Sequence, residues 1–313
     1  MKVIDSHCDT ILKMYKGNSI NDKKNHITLD NCLKYDKYIQ CFAMYMEPKY
    51  ISTTAFEFCF ELIKLLDLEI ANNIAMYKIK SRSDLENYNS FEKRCLGVII
   101  TIEDGVCLDS KIENIFKLYE LGVRMLGLTW NGLNSIAAGV DFSNTKDDGL
   151  SKFGYEVIKV MNEINMIIDV SHLSEKSFYN VIDASKKPVM ASHSSSYNIC
   201  NHKRNLKDEQ IKQISKNGGI IGLNIYPYFL ENNKSKASIE SAINHIKYII
   251  NVGGKDCIGI GSDFDGIEET PIGLENNSKL FNLVVELEKS GFNTSLIEKI
   301  MWQNHYDFFK NNL

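Results

Sequence analysis

The hydrophobic positions of this 313-residue chain fall into short continuous runs separated by longer amphipathic stretches. The runs are "KVIDS" (2–6), "YIQCFAMYM" (38–46), "CLGVIIT" (95–101), "VRMLGLT" (123–129), "NMIIDVS" (165–171), "PVMASHS" (188–194), "GGIIGLNI" (218–225) and "CIGIGSD" (257–263). Apolar residues without alternation are the mark of strands covered on both faces, as in a parallel sheet. Between them, residues 54–79, 110–121, 150–164, 174–185, 207–216, 237–251, 279–289 and 294–312 carry apolar side chains at three- and four-residue spacing and predict helices. Strand and helix alternating eight times predict an α/β protein, a (β/α)8 TIM barrel that takes in residues 1–313 as a single unit. A doubly wound open sheet is the alternative, but no GxGxxG turn follows any strand.

Composition supports a folded, water-facing molecule. Hydrophobic residues make up 44% and charged residues 24%, enough for a large core. The net charge of −4, with both signs interspersed, argues against a nucleic-acid or anionic-membrane surface. The polar "DSHCDT" follows Met-Lys-Val-Ile at once, so no signal peptide is expected, and no run of about 18 apolar residues predicts a membrane span. Eight cysteines are scattered without CxxC spacing, and several sit in apolar runs. A cytoplasmic protein in a reducing compartment is the expectation. Abundant Asn, Lys and Ile with only four Pro suggest an AT-rich bacterial genome.

A barrel directs attention to the C-terminal ends of its strands, where catalytic groups belong. The first run ends in His7 and Asp9, the third in Glu103, the fifth in His172, the sixth in His193 and the eighth in Asp263 and Asp265. His7 and Asp9, two apart on an extended segment, face the same way, and Cys8 faces the other. His172 and His193 come from neighbouring strands, and Glu103 has two oxygens with which to bridge. His, Asp and Glu ligands without Cys suit zinc or a similar divalent pair with open positions. Such a pair shares a hydroxide at neutral pH that attacks a carbonyl, with Asp263 passing a proton to the leaving amine.

Each motif alone has a plainer reading. An isolated HxD is more often a hydrogen-bonded turn, "EDG" and "DFDG" are turn chemistry, and "SHLSEKS" and "SHSSS" are rich in helix caps. Their joint placement on one rim is what the plainer readings explain poorly. His26, His245 and His305 lie outside any strand end and read as surface or packing residues.

At these positions the chain resembles the membrane (renal) dipeptidase family of zinc metallopeptidases. "DSHCDT", "TIEDG", "GVRMLGLTWNGLNSIAAG", "IIDVSHLSEKSF", "PVMASHSSSYNICNHKRNLKDEQI", "GIGSDFDG" and "GFNTSLIEKIMWQNHYDFF" resemble the family's motifs in order along nearly the whole chain. The resemblance implies a binuclear site for two Zn²⁺, other divalent ions being alternatives, with His7, Asp9 and Glu103 on one ion and Glu103, His172 and His193 on the other. It implies Asp263 as the catalytic aspartate and Arg204 as the holder of the substrate carboxylate, a task that suits a guanidinium fork. The implied reaction is hydrolysis of dipeptides, including those with a D-residue on the carboxyl side. Trp130 stands where the mammalian branch has a substrate-contacting histidine, and an indole N–H donates but cannot accept a proton. Oxyanion stabilisation then falls to the metal or to Asn131, and Asn224 and Tyr226 are further candidates for positioning a dipeptide. Loops 10–30 and 132–150 are expected to set selectivity.

Two alternatives stay open. One is another barrel amidohydrolase, acting on an N-acyl amino acid, a lactone or a phosphoester; the other is a non-catalytic metal- or ligand-binding homologue. The expected partner is a small dipeptide, with no nucleic acid and no membrane, and a homodimer is left open.

Overall fold

A computed structural model describes residues 1–51, 53–141 and 149–313. All eight apolar runs become strands, and a short ninth joins them. In chain order they are β1 (Lys2–Cys8), β2 (Lys37–Tyr45), β3 (Met76–Lys78), β4 (Leu96–Glu103), β5 (Val123–Gly127), β6 (Ile167–Asp169), β7 (Met190–Ser194), β8 (Ile220–Leu223) and β9 (Ile258–Ile260). All pairings among these nine strands are parallel. β1 lies between β2 and β9, and β2 pairs with β4 from Tyr38 opposite Leu96 to Tyr45 opposite Glu103, which closes the ring. Closure leaves a (β/α)8 TIM barrel and excludes the open doubly wound sheet.

The continuous apolar runs have the burial they predicted: all eight residues of β4 are buried, as are all five of β5. The floor of the barrel is sealed by the C-terminal segment. Trp302, Tyr306, Phe308 and Phe309 pack against Ile4, Ile39, Ile99, Met125, Ile167, Met190 and Ile220, mostly from the N-terminal halves of the strands. The helix expected over 294–312 carries a wider π turn at Lys299–Gln303, from which Trp302 packs into this floor. His305 and His245 are fully buried packing residues, as expected.

One expectation needs correction, and one helix appears that the apolar spacing does not predict. The helix predicted over 54–79 ends at Asn72, and residues 76–78 form β3 beside the first half of β4, while the second half of β4 turns to β5. The apolar spacing runs through the break, so the pattern does not reveal it. The start is better defined: Thr54 accepts from the Glu57 N–H and Glu57 reaches back to the Thr54 N–H. The helix Arg82–Ser90 has no strong apolar period and is marked mainly by its Ser81 cap, which accepts from the Asp84 N–H. Among the described residues, no helix is long and apolar enough to cross a membrane.

Candidate metal centre

The strand ends deliver their side chains to one rim. His7 and His193 project from β1 and β7, Glu103 is the last residue of β4, and His172 and Asp263 each stand three residues beyond β6 and β9. Asp9 departs from the expected geometry: β1 ends at Cys8, and Asp9 begins the short helix Thr10–Tyr15. Its carboxylate nevertheless turns back, with Oδ2 3.3 Å from His7 Nε2. Cys8 is fully buried on the other side.

Glu103 divides its two oxygens. Oε2 lies 3.6 Å from His7 Nε2, while Oε1 lies 2.8 Å from His172 Nε2 and 3.5 Å from His193 Nε2. The histidine tautomers follow from the groups behind them. Asp169 accepts from Ser192 Oγ, so that oxygen must accept in turn from His193 Nδ1, 2.7 Å away. His172 Nδ1 donates to Asn131 Oδ1 at 2.8 Å. Both Nε2 atoms therefore turn bare lone pairs inward, only 2.8 Å from each other and beside Glu103 Oε1. Acceptors without a donor between them call for a cation. His7 Nε2 and Asp9 Oδ1 are likewise buried without a hydrogen-bond partner. His7 with Glu103 and His193, and His7 with Asp9 and Asp263, each bring ligand atoms within 4.8 Å of one another. The donor set of imidazoles and carboxylates fits divalent zinc.

Proton affinities tell the same story. Burial pushes His172 down to about 4, helped by the nearby Arg204 charge, and burial together with His7 holds His193 well below its ordinary value, so both are neutral, as ligands must be. Burial disfavours charge on Glu103, yet the charge of His7 beside it holds its carboxyl well below the usual range. Burial and then the Glu103 charge push Asp9 up to about 7. Burial likewise pushes Asp263 up to about 6; His7 works against the rise and Glu103 adds to it. The acids are crowded enough to hold protons where no cation neutralises them.

The backbone is shaped for this placement. His172, Asp263, Asp265 and Asp104 all have positive φ, between 65° and 81°, a strained region for such residues. Gly266 leaves necessary room: a Cβ there would stand 2.2 Å from Asp9 Oδ2 and 2.6 Å from Asp263 Oδ1. Asp265 does not join the cluster. It accepts from Thr10 Oγ1 and from the backbone N–H groups of His26 and Ile27, tying β9 to the loop after β1. Asp5 accepts from the Ser262 N–H and hydroxyl and from the His7 N–H, which sets β1 against β9.

Comparison with known proteins decides the family. The sequence profile described as Membrane dipeptidase (Peptidase family M19) matches residues 1–311. The chain belongs to the membrane dipeptidase family. It is 35% identical over 213 residues to an uncharacterised dipeptidase of Schizosaccharomyces pombe, an alignment covering 67% of this chain and 51% of that protein. It is 33% identical over 238 residues to a Klebsiella pneumoniae protein encoded in the pqqA 5' region, covering 74% and 87%. The chain thus spans about half the length of the yeast relative. A metallopeptidase from Rhodobacter sphaeroides, solved with a phosphinate mimic of L-Ala-D-Ala, superposes with a TM-score of 0.89 at 22% identity, over 100% of this chain and 99% of that one. A dipeptidase described as a family M19 metallopeptidase gives 0.90 at 23% identity, over 100% and 98%.

In this family member a cavity of about 250 Å³ lies over the cluster. Arg204, Trp130, Asn131 and Tyr226 line it. Arg204 is buried, its Nε has no partner, and one terminal nitrogen reaches the His193 carbonyl at 3.4 Å, so unspent donors face the cavity. Trp130 stands at the mouth between Tyr45 and His172, with ring centroids 5.4 and 6.2 Å away. Asn131 spends its Oδ1 on His172, so it orients that ring as well as lining the wall. Asn224 lies beneath: its Nδ2 donates to Asp263 Oδ2 at 2.9 Å, and its Oδ1 accepts from the Tyr226 N–H.

Sequence reasoning missed four contributors. Tyr45, the last residue of β2, lines the cavity and was available from the same strand-end logic. Asp169 and Ser192, which fix the His193 tautomer, lie 23 positions apart and meet only through the β6–β7 pairing. Glu268 reaches the cavity mouth from a turn with no motif. Of the two loops expected to govern selectivity, residues 142–148 lie outside the described residues.

Proposed function

We propose that this protein is a zinc-dependent dipeptidase that holds two metal ions and accepts dipeptides with a D-residue on the carboxyl side. The observation that carries the reading is the division of Glu103, with Oε2 toward His7 and Oε1 toward His172 and His193. Divalent ions held there lower the pKa of a water to about 7 and polarise the scissile carbonyl. His7, Asp9 and Glu103 would hold one ion, and Glu103, His172 and His193 the other. Asp263 Oδ1 lies 3.8 Å from His7 Nε2, and Asn224 fixes the other oxygen, so the carboxylate is placed to take the proton of the attacking water and return it to the departing amine.

Arg204 would hold the substrate carboxylate by its unspent guanidinium donors. That contact defines one end of the substrate and the metal cradle defines the reacting bond, which suits a molecule two residues long. The L-Ala-D-Ala mimic bound by the Rhodobacter sphaeroides relative supports acceptance of a D-residue. All eight cysteines are buried free thiols, which supports a reducing, cytoplasmic setting. The test is amino-acid release from a panel of L-L and L-D dipeptides by purified protein supplied with zinc. Release across the panel well above a Glu103→Gln control is expected; none above that control would refute the reading.

A further inference from the structure

Outside the metal cluster, the cavity presents two charged groups, Arg204 and Glu268. The cluster carboxylates Asp9, Glu103 and Asp263 lie deep in the floor, whereas Glu268 is exposed at the mouth. Glu268 is held rather than free: its Oε2 accepts from the Tyr226 hydroxyl at 3.1 Å. Tyr226 is fixed in turn by its N–H bond to Asn224 Oδ1 and by the rings of Tyr228 and Phe229, each 5.0 Å away. Among the described residues no lysine, arginine or histidine pairs with Glu268, although its neighbour Glu269 is matched by Lys234 at 2.8 Å. An oriented carboxylate without a cation therefore faces the substrate space.

Resting on the dipeptidase reading, we propose that Glu268 selects dipeptides whose N-terminal residue carries a basic side chain, lysine or arginine. Covalent geometry separates two sources of positive charge. The α-nitrogen of the first residue lies only about 2.5 Å from the scissile carbonyl carbon, so it stays with that carbon over the floor. A group at the mouth meets atoms further out, and the stems of lysine and arginine supply that reach. Tyr226 and Phe229 give the stem an aromatic wall to lie along. Assignment to the first residue follows from Arg204, which fixes the carboxylate of the second. A mouth-exposed ion pair gives modest selectivity, about five-fold.

The experiment measures kcat/KM for Lys-Ala, for norleucyl-Ala (the same stem without its ammonium) and for Ala-Lys, in wild type and Glu268→Gln. The inference expects Lys-Ala to exceed norleucyl-Ala by about five-fold in wild type, through KM, with the ratio shrinking as salt rises. In Glu268→Gln the ratio falls to about one. Hydrolysis of both substrates with a ratio that the substitution leaves untouched would overturn this inference alone. A substitution effect confined to Ala-Lys would overturn the assignment to the first residue. Failure of wild type to hydrolyse any of the three would overturn the dipeptidase reading and this inference together.

Discussion

Ser192 Oγ lies 2.7 Å from His193 Nδ1 and gives its own proton to Asp169. This short chain decides which imidazole nitrogen faces the candidate metal cradle, so a hydroxyl behind the ring orients a candidate ligand. Ser192→Ala should weaken metal binding about 10- to 100-fold, the usual cost of losing the partner behind a ligating histidine. Competition against a chelator of known affinity measures it, with unfolding followed in parallel to separate metal loss from collapse. Unchanged affinity would mean that the ring is held by its packing alone.

Gly266→Ala tests how tightly the cradle is built. The new methyl would stand 2.2 Å from Asp9 Oδ2, and the displacement should cost about 1–3 kcal/mol of metal-bound stability. The thermal shift produced by zinc should shrink in the variant, while the metal-free protein melts close to wild type.

Arg204→Lys keeps the charge but removes the fork. If the guanidinium holds a substrate carboxylate, KM should rise about 10- to 100-fold with a smaller change in kcat. Steady-state kinetics on one neutral dipeptide separates the two. A fall in kcat at constant KM would instead place Arg204 in the chemical step.

Two buried histidines remote from the metal site make stability pH-dependent. Burial lowers His305 to about 3 and His245 to about 4, the latter against the opposing pull of the hydrogen bond from its Nε2 to the Leu230 carbonyl. Unfolded, both titrate near about 6.5. Below that pH the unfolded chain takes up protons that the folded chain refuses. Their contribution is therefore fully present above pH ~6.5 and is lost as the pH falls toward those folded values. At pH 5 each costs about 2 kcal/mol. In His305→Leu the stability difference between pH 7.5 and 5.0, read from urea unfolding, should shrink by about that amount; an unaltered difference would contradict the assignment.

The fold and the candidate ligands were legible because both depend on short-range pattern. Continuous apolar runs mark buried parallel strands, and barrel topology then sends every strand end to one rim, which is how His7, Glu103, His172, His193 and Asp263 meet. Asp9 reached the site for a different reason than alternation, through a turn after Cys8 that two-residue periodicity does not describe. β3 was hidden because its three residues continue the apolar spacing of the helix before it. The partners behind the ligands, Ser192 with Asp169 and Asn131 with His172, depend on contacts between neighbouring strands and loops. Glu268 is fixed by where Tyr226 happens to stand, 42 positions away. Such contacts are set by tertiary structure and leave no local mark.

The reading proposed above has the Glu103-centred cluster, charged with metal, hydrolyse dipeptides. Its most direct test is dipeptide hydrolysis measured while zinc is titrated into the metal-free protein. No activity is expected without metal, then a rise to a plateau at about two equivalents, and no such rise in Glu103→Gln. Hydrolysis that is full before any metal is added, or absent from wild type at saturating zinc, would contradict it.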